Sequence, residues 1–176
     1  MEDNQSTQHV FFRRNRRGKV QKLVRERYLR DDLDFGYRRL SRQSIEDIRG
    51  LLDERGQKSL LVVDTNVALQ EIDLLEFDST KTKSALSVVV ILETVLKEVK
   101  HLNLSAYRRL KTLVESERKS FVFFPNEVSR ITRVEKESEE SINDANDRAI
   151  RVASLYYKEA IGDSHDVIML TKDKDN

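Results

Sequence analysis

The sequence predicts an α/β protein: a mostly parallel central sheet with helices on both faces, preceded by a basic N-terminal extension. Three observations predict it. Short apolar runs at 60–63, 88–92, 121–124 and 167–170 are rich in branched or aromatic side chains and bounded by polar residues, the pattern of strands buried on both faces of a parallel sheet. Segments with helical spacing lie between them, and strand–helix alternation is how crossover units are written in sequence. Two of the runs lead to aspartates, Asp64 and Asp173, at the edge where open parallel sheets place their sites.

From the N-terminus, residues 1–9 are polar and read as a disordered tail. Residues 10–59 read as the basic extension. Two partly apolar stretches surround 15–18, and Gly18 accepts a positive φ, so a twisted hairpin is expected there. Over 44–55, Ser44 and Asp47 form a capping-box pattern, Ile45, Ile48, Leu51 and Leu52 make one face, and Gly56 suits the stop; Gly50 weakens that helix. Residues 60–176 read as the main domain, beginning with the first buried strand. A helix is expected from Thr65 through Leu75. After the second strand, Val95, Leu96 and Val99 share a helical face, and 106–116 continues the helical pattern. Pro125 ends the third strand. The acidic stretch 135–143 lacks apolar periodicity and reads as a loop, followed by a helix over 144–161 with Ala149, Ile150, Ala153, Tyr157 and Ala160 inward. The chain stops six residues after the fourth strand, and a further helix or strand is expected beyond it.

Composition removes several classes of function. With 38% hydrophobic residues in 176, the chain can bury one real core. No cysteine is present, which excludes disulfides and thiolate zinc sites. The histidines His9, His101 and His165 show no ligand spacing. No apolar run approaches the roughly 20 residues that span a bilayer, so no membrane is expected. The net charge of +1 conceals an asymmetry: residues 13–30 hold nine basic residues and one acid. Arg13, Arg14, Arg16 and Arg17 within it are candidate RNA contacts, since phosphate binding follows local positive clusters. A solvated tract or a nuclear-localisation signal explains them equally well.

Four acids are candidates for chemistry: Asp64, Glu98 on the helix after the second strand, Asp147 near the start of the last helix, and Asp173. Converging carboxylates repel unless a cation neutralises them. Mg²⁺ and Mn²⁺ favour such oxygen ligands, and bound metals serve phosphodiester hydrolysis. Each acid also has a plainer explanation. Asp64 can cap the next helix, Asp144 and Asp147 can complement a helix dipole, Glu98 can be an ordinary exposed helix residue, and Asp173 can sit in a turn. Spacing alone leaves both readings open.

The combination VVDTN, TVLKEV, NDANDRAI and strand-TKD resembles the PIN domain nucleases. Together with KLVRERYLRDDL, YRRLKTL and PNE, it resembles more narrowly the N-terminal PIN domains of catalytic exosome ribonucleases of the RNase II type. The resemblance spans nearly the whole chain. It implies a PIN-like α/β/α sandwich and a Mn²⁺- or Mg²⁺-dependent endoribonuclease acting on single-stranded RNA in RNA processing and decay, including that of rRNA. It implies Asp64, Glu98, Asp147 and Asp173 as catalytic, metal-binding acids, with Thr171, which precedes the last of them, as a supporting residue behind the site. It also implies exosome core subunits as partners and a nuclear location that includes the nucleolus, with a cytoplasmic share. One departure stands out. After RYLRDDL the family usually carries a small cysteine cluster that helps attach the enzyme to the exosome core, and this chain reads DFGYRRLSRQSIEDIRG instead. Exosome attachment is therefore an open expectation. The alternative function is a docking module that tethers the exonuclease and whose nuclease site is secondary. An aspartyl phosphotransferase of the haloacid dehalogenase type is set aside, because it needs a second Asp where Asn66 stands.

Overall fold

A computed structural model describes residues 6–77, 88–116 and 120–172. It opens with two long strands, β1 (Ser6–Arg14) and β2 (Val20–Tyr28), paired antiparallel as a separate two-stranded ribbon. Asn15 shapes the turn: its side-chain oxygen accepts from the N–H groups of Arg17 and Lys19 at 3.0 Å each, and Gly18 takes φ +76°. The expected hairpin is present and is longer than its sequence pattern suggests. Residues 6–9, expected to lie in a disordered tail, instead pair with 25–28, because β2 offers a ladder over its whole length; residues 1–5 lie outside the described residues.

A second, six-stranded sheet forms the centre, with helices flanking it. Its first strands are two-residue pieces, β3 (Tyr37–Arg38) and β4 (Ser41–Arg42). Helix α1 (Ile45–Glu54) follows, with the Ser44–Asp47 capping box formed as its residues predict and Gly56 at φ +61° beyond its end. Then come β5 (Ser59–Val63), α2 (Thr65–Gln70), α3 (Ile72–Glu76), β6 (Val88–Leu92), α4 (Glu93–Leu102), α5 (Leu104–Glu115), β7 (Phe121–Phe124), α6 (Ile142–Ile161) and β8 (Asp166–Leu170). The strand order is β4-β3-β7-β6-β5-β8. Strands β7, β6, β5 and β8 are mutually parallel, and β3 and β4 are antiparallel additions at the β7 edge. The mostly parallel sheet expected from the sequence is thus what forms.

Burial explains why the apolar runs become strands. All of β6 is buried, while β5 alternates at its start and is fully covered at its end. The core continues into Ile48 and Leu52 of α1, Leu110 of α5, and Ile150, Ala153 and Tyr157 of α6. Tyr157 is completely buried, and its hydroxyl donates to the Phe35 carbonyl at 2.7 Å. Gly36 passes so close to β7 that an added Cβ would lie 2.4 Å from the Phe123 carbonyl oxygen, and its φ is +95°. No larger residue fits there. Two elements differ from expectation. The helix read as continuous from Thr65 breaks at Glu71, which adopts φ −115°. The last helix begins at Ile142 rather than 144, because Ser141 and Asp144 form a capping box inside the acidic run. Among the described residues no helix is long and apolar enough to cross a membrane.

Candidate active site

The chain proceeds β5, β6, β7 in one direction across the sheet and then returns to place β8 on the far side of β5. That reversal opens a crevice beyond the carboxyl ends of β5 and β8, where open α/β sheets bind ligands. A cavity of about 300 Å³ lies among Asp64, Thr65, Asn66, Glu98, Asn143 and Asp147. Three of the four acids expected from the sequence therefore line one space, although up to 83 residues separate them along the chain. Asp173 lies outside the described residues.

Each side chain has an identifiable support. Asp64 follows β5 and occupies the N-cap of α2, yet its side chain makes no capping hydrogen bond. It accepts instead from the Thr171 hydroxyl at 3.0 Å, and only 3% of the residue is exposed. Its backbone N–H donates to the Leu170 carbonyl at 3.0 Å, continuing the β5–β8 ladder by one step. Thus the capping explanation of Asp64 does not describe where its carboxylate goes. Thr65, also buried, donates its hydroxyl to a Glu98 oxygen at 2.8 Å. Asp147 lies in the second turn of α6 and shares a helical face with Asn143, four residues before it. Asp144 is committed to the Ser141 cap, in line with the helix-dipole account of that residue.

The start of α4, which carries Glu98, is fixed from outside. Leu92 occupies the N-cap position and cannot cap. Asn126, in the loop after β7, accepts from the Thr94 N–H at 3.2 Å and donates to the Thr94 hydroxyl at 2.8 Å. Glu127 beside it binds Lys97 and, at 3.4 Å, Arg27. Arg27 in turn reaches the nearly buried Glu93 at 2.5 Å. The Pro125-Asn126-Glu127 stretch and the root of the ribbon therefore hold the helix on which Glu98 sits.

The donors in this cavity are hard oxygens, and among the described residues Asp64 and Glu98 are partnered by hydroxyls rather than cations. Such a set suits Mg²⁺ or Mn²⁺, which combine a few carboxylates with retained waters. Among the described residues no three acidic or histidine side chains close around one point, so the acids face a shared space rather than a finished coordination shell. A more apolar hollow of about 420 Å³ lies between Tyr37, Leu96, Tyr107 and Phe123. Leu96 and Glu98 are about 200° apart around α4, so that hollow is on the other side of the helix from the acids. Residues missed by the sequence reading are Thr65, Asn66 and Asn143. Their signals were local: Thr65 and Asn66 directly follow the first acid, and Asn143 is one helical turn before Asp147.

Comparison with known proteins supplies the family. A PIN domain family model matches residues 61–176, the segment containing all four acids. Over 167 residues the chain is 42% identical to "Exosome complex exonuclease RRP44 homolog A" of Arabidopsis thaliana, covering 95% of this chain and 17% of that protein. It is 36% identical over 181 residues to the Homo sapiens "Exosome complex exonuclease RRP44" (95% and 18% covered) and 35% identical over 180 residues to "Exosome complex exonuclease dis3" of Schizosaccharomyces pombe (94% and 18%). The chain thus spans less than a fifth of the length of the curated relatives it matches. Among solved structures, "Structure of T. brucei RRP44 PIN domain" superposes with a TM-score of 0.57 at 28% identity, covering 66% of this chain and 67% of that one. The chain belongs to the PIN domain family, and within it resembles the RRP44 and Dis3 exosome exonucleases.

Proposed function

We propose that this chain is an endoribonuclease that hydrolyses phosphodiester bonds of single-stranded RNA with Mn²⁺ or Mg²⁺, within an RNA processing and decay enzyme of the exosome. The observation that carries this reading is the cavity at the switch point of the sheet, lined by Asp64, Glu98 and Asp147. The names of the RRP44 and Dis3 relatives support the nuclease class and the exosome partnership. The reading extends to nuclear and nucleolar action, with a cytoplasmic share.

Asp64, Glu98, Asp147 and Asp173 would hold the metal, which when bound supplies Lewis acidity and an activated water for in-line displacement. The chain's own residues prepare for that. The Thr171 hydroxyl orients Asp64, and the Thr65 hydroxyl orients Glu98, so two carboxylates keep fixed rotamers. Leu102 contributes an apolar wall to the same cavity. Asn66 and Asn143 present amides at its rim, where they can donate to phosphate oxygens.

The test is incubation with a circular single-stranded RNA, in Mn²⁺ or in EDTA, beside Asp147→Asn. A circle has no ends, so linearisation reports internal cleavage alone. Cleavage that needs Mn²⁺ and disappears in the variant is the expected result. An intact circle with a folded, Mn²⁺-binding wild type would reject the endonuclease and favour the docking-module alternative.

A further inference from the structure

The ribbon of β1 and β2 projects from the site's own supports and is built unlike the rest of the surface. Several arginines elsewhere are paired: Arg30 with Asp32, Arg42 with Asp34, Arg109 with Glu76, Arg130 with Asp31, Arg148 with Glu140. On the ribbon, Arg13, Arg14, Arg16, Arg17, Lys19 and Lys22 are all exposed, and no ion pair involves them among the described residues. Unmatched positive charge of this density costs self-repulsion in the free protein, and a polyanion relieves it.

The register adds a second observation. Val10 pairs with Val24, Phe12 with Lys22 and Arg14 with Val20, while Tyr28 lies opposite Ser6. Alternation along a strand therefore gathers Phe12, Val20, Val24 and Tyr28 on one face, interleaved with Arg14, Lys22 and one acid, Glu26, which accepts from the Tyr28 hydroxyl at 2.7 Å. That face is open: Phe12 is 71% exposed and Tyr28 51%. The opposite face carries Arg27, whose guanidinium anchors the root to Glu93 on α4. Two strands of nine residues reach about 30 Å, with a tip ordered by Asn15. Between the root and the acids lies a cleft of about 460 Å³ whose lining mixes the cations Arg27, Arg133 and Lys136 with the acids Glu127 and Glu135, and which reaches Asn146. Asn146 lines this cleft and its neighbour Asp147 lines the cavity, so the two spaces flank the same turn of α6.

We propose that the ribbon is a binding arm for single-stranded RNA. Bases stack on Phe12 and Tyr28, the flanking cations meet the phosphates, and the strand passes through the cleft beside α6 to the acid-lined cavity. Flat aromatics spaced among cations suit a single strand, whose bases are free to stack and whose backbone carries regular charge. This inference rests on the reading that RNA is the substrate, and it adds how the strand is held outside the cavity.

The test is binding by fluorescence anisotropy, with the Asp147→Asn chain in EDTA so that no RNA is consumed. The probes are single-stranded RNAs of about 20 and about 4 nucleotides, the scale of known single-strand site sizes. Combined Arg14→Ala, Arg16→Ala, Arg17→Ala and Lys22→Ala should flatten the salt dependence of long-RNA binding by about 3 in log–log slope, at roughly 0.7 per phosphate contact. The matching Arg→Lys set should keep the slope. Phe12→Ala should weaken long-RNA binding about tenfold without changing the slope. Short RNA should bind equally to all variants. Unchanged slope and affinity in the alanine set, equal losses for short and long RNA, or competition by poly-glutamate as strong as by RNA would each overturn the arm; the last would assign the ribbon to an acidic protein. Circular dichroism and melting of each variant confirm that the ribbon and core remain folded. If wild type cuts circles while the ribbon variants bind normally, the arm falls and the nuclease stands. If the arm binds RNA as expected while wild type leaves circles intact, the nuclease reading falls instead.

Discussion

Replacing Thr171 by Val keeps the shape of the side chain and removes one donor. In the fold that hydroxyl donates to Asp64 at 3.0 Å, and Asp64 is 3% exposed, so water is poorly placed to substitute. A hydrogen bond to a charged group contributes about 1.5–3 kcal/mol. At about 1.4 kcal/mol per decade, its loss corresponds to roughly 10- to 150-fold in any equilibrium that needs Asp64 held in place. Groups that orient metal-ligating carboxylates are typically worth about 10–100-fold in affinity or activity, so two routes agree on one to two orders of magnitude. The assay is a Mn²⁺ titration of circular-RNA cleavage, together with thermal melting in EDTA. Half-saturating Mn²⁺ should rise about 10–100-fold. The melting temperature in EDTA should fall by roughly 3–6 °C, at about 2–4 °C per kcal/mol for a chain of this size and toward the low end because Thr171 is only half-buried. Thr171→Ser should recover most of both. A Thr171→Val titration that overlays wild type would refute the reasoning, as would a loss confined to the rate at saturating Mn²⁺, which would place the hydroxyl on the reacting groups rather than on Asp64.

Two further predictions concern stability. Tyr157→Phe takes the donor from the Phe35 carbonyl and should cost about 1 kcal/mol, visible as a melting shift of about 2–4 °C. Burial, with Tyr156 adding to it, holds the Tyr157 hydroxyl protonated well above the ordinary value of 10.0. In alkali only the unfolded chain releases that proton, so wild-type stability should fall as pH rises past about 10, and Tyr157→Phe should lose that part of the slope; equal slopes by denaturant titration would contradict it. Gly36→Ala should destabilise by about 2–4 kcal/mol, because the new Cβ meets the Phe123 carbonyl in a backbone conformation that L residues avoid. A melting temperature within about 2 °C of wild type would show that β3 moves aside at little cost.

Much of the sheet was legible because its strands are uniform. Residues 88–92 are five apolar side chains in a row and all are buried, so one rule suffices. The β3–β4 hairpin was not legible. Each strand has two residues, and the turn between them places Arg39 at φ +50° and Leu40 at φ +70° without the glycine or asparagine that normally marks such a turn. Tertiary contacts with β7 impose it. The start of α6 was hidden for a different reason: Ser141 and Asp144 cap it from within a run of glutamates that reads as solvated loop. The acids themselves were ambiguous one at a time, since a cap, a dipole partner and an exposed helix residue use the same side chains. In the fold Asp64, Glu98 and Asp147 meet around one cavity, and that meeting is a property of strand order rather than of any local segment.

Among the described residues β8 stands at the rim of the sheet, a position with a consequence for endurance rather than for chemistry. Among the described residues this strand is laddered to β5 alone, and Ile168 on it is 43% exposed. Such a margin opens locally at far less free energy than global unfolding requires, and each opening would carry Thr171 away from Asp64. Amide exchange in 166–170 should accordingly outpace that in 88–92, and mild heating or denaturant should silence the cavity while the interior strands are still intact.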